Sequence, residues 1–165
     1  MKVVSISPRA LARTTVVAAA LAVPSIAAFA QSAPFAGMAG VWSGQGNISL
    51  DDGSKERIRC KATYAVSNDG NGLNQALLCA SDSYKFELKS NVQAKGNQLT
   101  GQWSETTRNV SGELSGTSSA GKFNVNVSAP GFDAKLTLTT TGNKQAVSIS
   151  SDGQFKGVNI TLNRS

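Results

Sequence analysis

The sequence predicts an all-β fold, an antiparallel up-and-down β-barrel of about ten strands. From residue 41 onward, short segments alternate apolar with polar side chains, which is the pattern of a strand that buries one face. Clusters of Gly, Asn, Asp and Ser separate the segments, and these residues tolerate the positive φ of tight hairpin turns. No window of ten or more residues shows the 3.6-residue period of a helix.

Ten segments follow this alternation. The pattern predicts strands over residues 41–50, 55–66, 73–80, 84–94, 98–105, 110–116, 122–128, 133–140, 145–151 and 157–163. Because each segment has one apolar face, consecutive hairpins must bury that face together. A closed barrel does so and leaves no edge strand, so we favour it over a two-sheet sandwich.

Alternation alone does not say whether the apolar side faces the lumen or the outside. An outward apolar face would make a membrane-spanning barrel. Most segments are shorter than the about 9–11 residues that cross a bilayer, and both cysteines lie on the apolar parity. We therefore expect a barrel that does not span a membrane.

The second and third segments contain both cysteines of the chain. If residues 67–72 form the loop, Tyr64 faces Gln75 and Cys60 faces Cys79 in an antiparallel ladder. Directly opposed cysteines are close enough to bridge, so we predict a structural Cys60–Cys79 disulfide. A loop of this size contributes roughly 3 kcal/mol in the chain-entropy model.

The N-terminus predicts export. Lys2, Arg9 and Arg13 precede an apolar run, and Ala28-Phe29-Ala30 fits the small-x-small rule for signal peptidase. We predict a cleaved signal peptide at 1–30, a flexible segment at 31–39 and a barrel domain at 40–165. The expected location is the periplasm or the exterior, and no cysteine is placed for lipid modification.

Charge and composition exclude several function classes. Removal of residues 1–30 takes away three basic residues and no acidic ones, which lowers the formal net charge from +6 to +3. This mild charge does not indicate nucleic acid binding. The chain has no His, which removes the usual general base and metal ligand. We expect no cofactor, no metal and no enzymatic activity.

Two carboxylates are the remaining catalytic candidates. Glu56 and Glu105 lie on the inward parity, each at a strand end. An acid/base pair for glycoside chemistry would need one of them beside a second carboxylate. A local ion pair of Glu105 with Arg108 at the barrel mouth is the interpretation that we favour.

The interior predicts a ligand site. Gly44, Gly46, Gly101, Gly112 and Gly116 fall on the apolar parity in mid-strand, and they indicate either sharp bending of the strands or space for a ligand. A ten-stranded barrel is also wider than the eight-stranded size that side chains just fill. We expect a small apolar or amphipathic ligand, contacted in the lumen by Trp42, Tyr64, Gln75, Tyr84, Phe86, Trp103 and Phe123.

The second segment also has a basic face. Lys55, Arg57, Arg59 and Lys61 share one parity, opposite to that of the cysteine. The plain interpretation is the solvent face of a strand. The alternative is a surface that steers an anionic partner, such as an envelope protein.

Gly40-Val41-Trp42 on the first segment, with Arg164 near the C-terminus, resembles the first structural motif of the lipocalins and their calycin relatives. The resemblance implies that Trp42 closes one end of the barrel and that Arg164 packs across it as a cation–π contact. The chain differs from that superfamily in having ten segments where eight strands are usual.

The early G-x-W, the single disulfide and residues 31–39 also resemble small exported bacterial barrels that inhibit metalloproteases. That resemblance implies a protease partner contacted by the N-terminal segment. The chain as a whole is also similar to exported bacterial proteins of unknown function. The oligomeric state is not indicated by any of these features.

Overall fold

A computed structural model of the chain describes residues 33–153 and 155–165, so the predicted signal peptide at 1–30 lies outside the described residues. The ten predicted strands are confirmed, with bounds that differ from the predicted ones by at most three residues. They are β1 Gly40–Leu50, β2 Lys55–Val66, β3 Gly72–Ala80, β4 Lys85–Lys95, β5 Gln98–Glu105, β6 Val110–Ser119, β7 Lys122–Ala129, β8 Phe132–Thr141, β9 Lys144–Ser151 and β10 Phe155–Arg164.

The strands form one closed antiparallel barrel. Each strand pairs with the next in sequence, and β10 returns to pair with β1, so the ring has no edge. The apolar parity faces the lumen and forms the core, as Trp42, Ile58 and Leu114 illustrate. The described residues include no helix with the length and apolar character needed to cross a membrane.

The predicted register of the β2–β3 hairpin is confirmed. Cys60 pairs with Cys79 and Tyr64 pairs with Gln75. The two cysteines form a disulfide, with their Cα atoms 4.1 Å apart. Because both cysteines lie on the inward parity, the bond joins two strands from within the barrel wall.

The barrel has two different ends. Up-and-down topology places the turns after β2, β4, β6 and β8 at one end, which we call the lower end, together with residues 33–39. The turns after β1, β3, β5, β7 and β9 lie at the other end, which we call the mouth.

Residues 33–39 close the lower end. The sequence predicted a flexible segment at 31–39, but Phe35 and Met38 are only 2% and 3% exposed. The ring of Phe35 stacks on that of Phe123 with centroids 5.7 Å apart, and its N–H donates to the carbonyl oxygen of Gly70 at 3.1 Å. The physical reason is hydrophobic, because burying a side chain of this size contributes about 1.5–3 kcal/mol.

Trp42 and Arg164 lock this segment to the barrel. The guanidinium carbon of Arg164 lies 4.4 Å from the centre of the Trp42 ring, which is the packing that the lipocalin resemblance implies. Arg164 also donates to the carbonyl oxygens of Gly37 and Ala39, and Trp42 Nε1 donates to that of Met38 at 2.8 Å. The pair therefore holds residues 33–39, which we call the plug, and also covers the barrel end.

The inward glycines allow neighbouring strands to approach closely. A Cβ at Gly44 or Gly46 would collide with backbone carbonyls of β10, and one at Gly112 or Gly116 with those of β7. Gly101 meets the backbone of β4 in the same way. Of the two interpretations, strand bending accounts for these positions, because there is no free space where their side chains would be.

Candidate functional site

A cavity of about 400 Å³ occupies the lumen. It extends from Phe35 and Met38 at the lower end to Arg108 and Phe132 at the mouth. Most of its lining is aliphatic or aromatic and comes from β3 to β8, as Leu73, Leu77, Leu88, Val92, Leu99, Val110, Leu114, Val125, Val127, Ala134, Leu136 and Leu138 show. Such a lining binds apolar surface and excludes water.

Five of the seven predicted lumen residues line this cavity. They are Gln75, Tyr84, Phe86, Trp103 and Phe123. Four of them lie on β3, β4, β5 and β7, and Tyr84 directly precedes β4. Only the closure of the ring brings them around one space.

The other two predicted lumen residues do not line it. Trp42 is fully buried against Met38 and Arg164, and Tyr64 is packed edge to face against the Trp42 ring. The Tyr64 hydroxyl donates to Gln145 Oε1 at 3.2 Å. Burial raises the pKa of Tyr64 well above its usual value, although this hydrogen bond opposes the rise. Both rings are therefore core residues, because they are buried against each other and do not border the cavity.

An aromatic cluster surrounds the upper part of the cavity. The ring centroids of Trp103 and Phe132 are 5.7 Å apart, and those of Phe132 and Phe155 are 6.2 Å apart. Tyr84 and Phe86 form a second edge-to-face pair at 6.4 Å. Aromatic rings present large apolar surfaces with few rotatable bonds, which suits a pre-formed ligand entrance.

Sequence reasoning missed Phe132 and Phe155. Phe132 lies one residue before the predicted eighth segment, and continuing its parity by one residue would have found it. Parity could not have found Phe155, since an irregularity opposite Ser49 and Leu50 shifts the register of β10 there.

Glu105 and Arg108 form the predicted ion pair at the mouth. Arg108 Nη1 lies 3.7 Å from Glu105 Oε2, and the guanidinium carbon lies 4.6 Å from the centre of the Tyr84 ring. Glu105 is 8% exposed and accepts hydrogen bonds from the N–H groups of Glu87, Thr107 and Arg108, as well as from the Thr107 hydroxyl. Burial raises the pKa of Glu105, but these hydrogen bonds outweigh it, so the pKa lies below its usual value.

Glu56 occupies a separate place. Its carboxylate accepts hydrogen bonds from the Ser83 hydroxyl and, at 3.3 Å, from the Ser83 N–H. Hydrogen bonds from Ser81 and Ser83 lower the pKa of Glu56. A different loop thus donates hydrogen bonds to each candidate carboxylate: the loop after β3 to Glu56 and the loop after β5 to Glu105. These contacts are typical of a carboxylate with a structural role.

Two uncharged polar side chains lie deeper in the cavity wall. Ser90 donates through its hydroxyl to Gln75 Oε1 at 3.3 Å. Both residues line the cavity among aliphatic neighbours. This hydrogen-bonded pair supplies one polar spot in an otherwise apolar shaft.

The basic face lies on the outside of the barrel. Lys55, Arg57, Arg59 and Lys61 are all exposed, and none of them forms an ion pair with any residue that the structure describes. Lys61 pairs across the β2–β3 ladder with Leu78, which is 43% exposed. This face is separate from the cavity.

No protein-family model and no curated protein sequence matches the chain. Among the solved structures that share its fold are the following two. Rv2717c from M. tuberculosis has a TM-score of 0.58 at 11% identity, covering 80% of this chain and 93% of that chain. The S-type phycobiliprotein lyase CPES from Guillardia theta has a TM-score of 0.58 at 10% identity, covering 79% and 90%. Both are lipocalin-like barrels of ten strands, so this chain has a fold of that kind.

Proposed function

We propose that the protein is an exported, non-catalytic barrel that binds a small apolar or amphipathic molecule in its lumen. The observation that carries the proposal is the cavity of about 400 Å³, which the plug of residues 33–39 closes at the lower end. Sites for small molecules have volumes of about 300–1,000 Å³ and mostly apolar walls.

Inward apolar side chains that remain partly exposed support this proposal. Val125, Val127 and Leu136 point inward and yet remain partly exposed, and all three line the cavity. Apolar side chains in that state gain free energy when a ligand covers them, about 25 cal/mol per Å². Cavities with apolar walls take up apolar molecules.

Export and the absence of catalysis rest on the sequence. The N-terminal 30 residues have the features of a signal peptide, and a disulfide suits an oxidising compartment. The chain has no His, and both Glu56 and Glu105 accept several hydrogen bonds. The name of one structural neighbour describes a lyase, but 10% identity carries only the fold to this chain.

The test is a titration with N-phenyl-1-naphthylamine, whose fluorescence rises in an apolar site. We expect the native protein to bind it and Leu136→Trp, which fills the cavity, to lose binding. Leu78→Trp adds the same ring on the outer face and serves as the matched control that retains binding. Val125→Phe is a second filling variant, and circular dichroism checks that each variant is folded. Equal binding by the filled and control variants would overturn the proposal.

A second candidate function is the binding of an acidic segment of an envelope protein to the basic face. It rests on charge complementarity, since four exposed cations lie two residues apart along one strand, beside the exposed Leu78. The related idea of a protease inhibitor acting through 31–39 finds no support in the packing, because Phe35 and Met38 would have to leave the barrel.

The basic face is tested with a fluorescent oligoglutamate peptide. We expect binding to be lost when Lys55, Arg57, Arg59 and Lys61 are all changed to Gln. The matched control changes four exposed lysines of β7 to β10 to Gln, which gives the same net charge; they are Lys122, Lys135, Lys144 and Lys156. An equal loss in both variants would mean that only net charge matters and would count against a site.

A further inference from the structure

Charge is confined to one place in the cavity. Among the described residues that line it, only Glu105 and Arg108 carry a charge, and both lie at the mouth. Below them the wall is aliphatic and aromatic, apart from Gln75 and from Ser90, whose hydroxyl donates to Gln75. A ligand that fills this space therefore contacts apolar side chains along most of its length and charged groups only at its upper end.

The hydrogen-bonding capacity of the Glu105 carboxylate is already largely used by its surroundings. Its two oxygens accept three backbone N–H groups and one hydroxyl at distances of 2.6–3.1 Å. Hydrogen bonds of this number hold a carboxylate in its charged form and occupy its lone pairs. Glu105 thus anchors the loop of residues 106–109 and has little capacity left for a cationic ligand.

Arg108 has capacity to spare. Its Nη1 lies 3.7 Å from the Glu105 carboxylate and 3.4 Å from the Thr107 hydroxyl oxygen, and both contacts are long. A guanidinium has five N–H donors in a planar fork that matches a carboxylate. The side chain is 38% exposed, and its stacking on the Tyr84 ring keeps the fork at the mouth.

From these contacts we infer that the ligand is a single-chain amphiphile with an anionic head group, the tail in the shaft and the head on Arg108. The inference rests on the proposed function and adds the chemical class of the ligand. Phe86 and Phe132 flank the upper shaft, where the alkyl tail of the ligand would join its head group. The uncharged Gln75–Ser90 pair lies deeper and does not select the charge of the head group.

The test compares three probes with the same chain length, namely laurate, dodecanol and dodecylamine, each displacing N-phenyl-1-naphthylamine from the full chain. We expect laurate to bind about tenfold more tightly than dodecanol, because a charge-assisted hydrogen bond at a partly exposed site has about that value. Arg108→Gln is expected to lose this advantage and to bind dodecanol as before. Arg108→Lys, which keeps the charge without the fork, should lose only part of it.

Lys89→Gln is the matched control, since it removes a cation from the outer face of β4 and should leave all affinities unchanged. An NMR shift of the Arg108 side-chain N–H groups on adding laurate gives a second measurement. Equal affinities for laurate and dodecanol, tighter binding of dodecylamine, or an unaltered laurate affinity in Arg108→Gln would overturn the anionic head group and leave the cavity function standing. If the dye binds but none of the three probes displaces it, the amphiphile inference fails and the cavity function stands. If neither the dye nor any probe binds, the proposed function itself fails.

Discussion

The inward side chains of β1, β2 and residues 160–164 of β10 pack against one another, whereas those of β3 to β8 surround the cavity. We call the first set the packed side and the second set the cavity side. Trp42, Ile48, Ile58 and Ala62 on the packed side have no exposed surface at all. On the cavity side, Val125 and Leu136 face inward and are only partly buried.

This difference indicates that the two sides of the barrel have different roles. The packed side includes the disulfide residue Cys60 and the Trp42 ring that holds the plug. Among the described residues, the cavity lining includes none from β1 or β2. Stability should therefore depend most on the packed side, and ligand affinity on the cavity side.

The largest expected effect is the difference in unfolding free energy between alanine variants of the two tryptophans. Trp42→Ala should lower the free energy of unfolding by about 4 kcal/mol, because it leaves a buried void and releases Met38 and Arg164. Trp103→Ala should cost less, since that ring already borders the cavity. Urea denaturation of both variants measures the difference, and an equal or reversed order would break the comparison.

The disulfide should stabilise without affecting the ligand. Changing Cys60 and Cys79 together to Ala is expected to cost about 3 kcal/mol, the loop-closure contribution of a bridge over 19 residues. Because neither residue lines the cavity, probe affinity should stay at the native value under conditions where the variant is folded. A large loss of affinity there would show that the two sides are coupled.

The same Leu→Ala substitution can be made on both sides of the barrel, which gives a more direct comparison of the two. Leu162→Ala on the packed side should cost about 3 kcal/mol, whereas Leu136→Ala on the cavity side should cost about 1 kcal/mol. The reason is that Leu136 already has empty space on one side and makes fewer contacts to lose. Thermal and urea unfolding of the two variants provide the measurement, with similar costs as the outcome that would contradict it.

The smallest expected effect is on the pH dependence of stability, through Glu105 at the mouth. The pKa of Glu105 in the folded state lies below its usual value, so its contribution is present at neutral pH and is lost as the pH falls through the acid range. Glu105→Gln should therefore be less stable at pH 7 by roughly 1 kcal/mol and show a smaller loss of stability on acidification. Denaturation at pH 7 and in the acid range measures this. An unchanged acid dependence would show that the mouth loop does not depend on the carboxylate.

Much of the candidate site could be predicted from parity and turn chemistry. Gln75, Phe86, Trp103 and Phe123 were found because each lies on the inward parity of a strand whose register is set by the neighbouring turns. Tyr84, one residue before β4, was found because it continues the parity of Phe86. Parity also marked Trp42 and Tyr64 as inward, but it carries no information on whether an inward residue meets space or another side chain.

The plug shows the same limit from another direction. Phe35 and Met38 lie outside any alternating segment, so no local pattern marks them as buried. Phe35 stacks on Phe123 and donates a hydrogen bond to Gly70. Both partners are distant from it in the sequence and come together only at the lower end of the closed barrel. A segment whose partners are so far away in sequence reads as a flexible linker.

The sequence by itself determined the strands, their order, the β2–β3 register and the disulfide, because alternation and turn residues act between near neighbours along the chain. Only the tertiary structure decided which side of the lumen is filled, that residues 33–39 close it, and that Arg108 lies over Tyr84 at the mouth. These features depend on how strands far apart in the sequence share one enclosed volume, and that volume exists only once β10 has paired with β1.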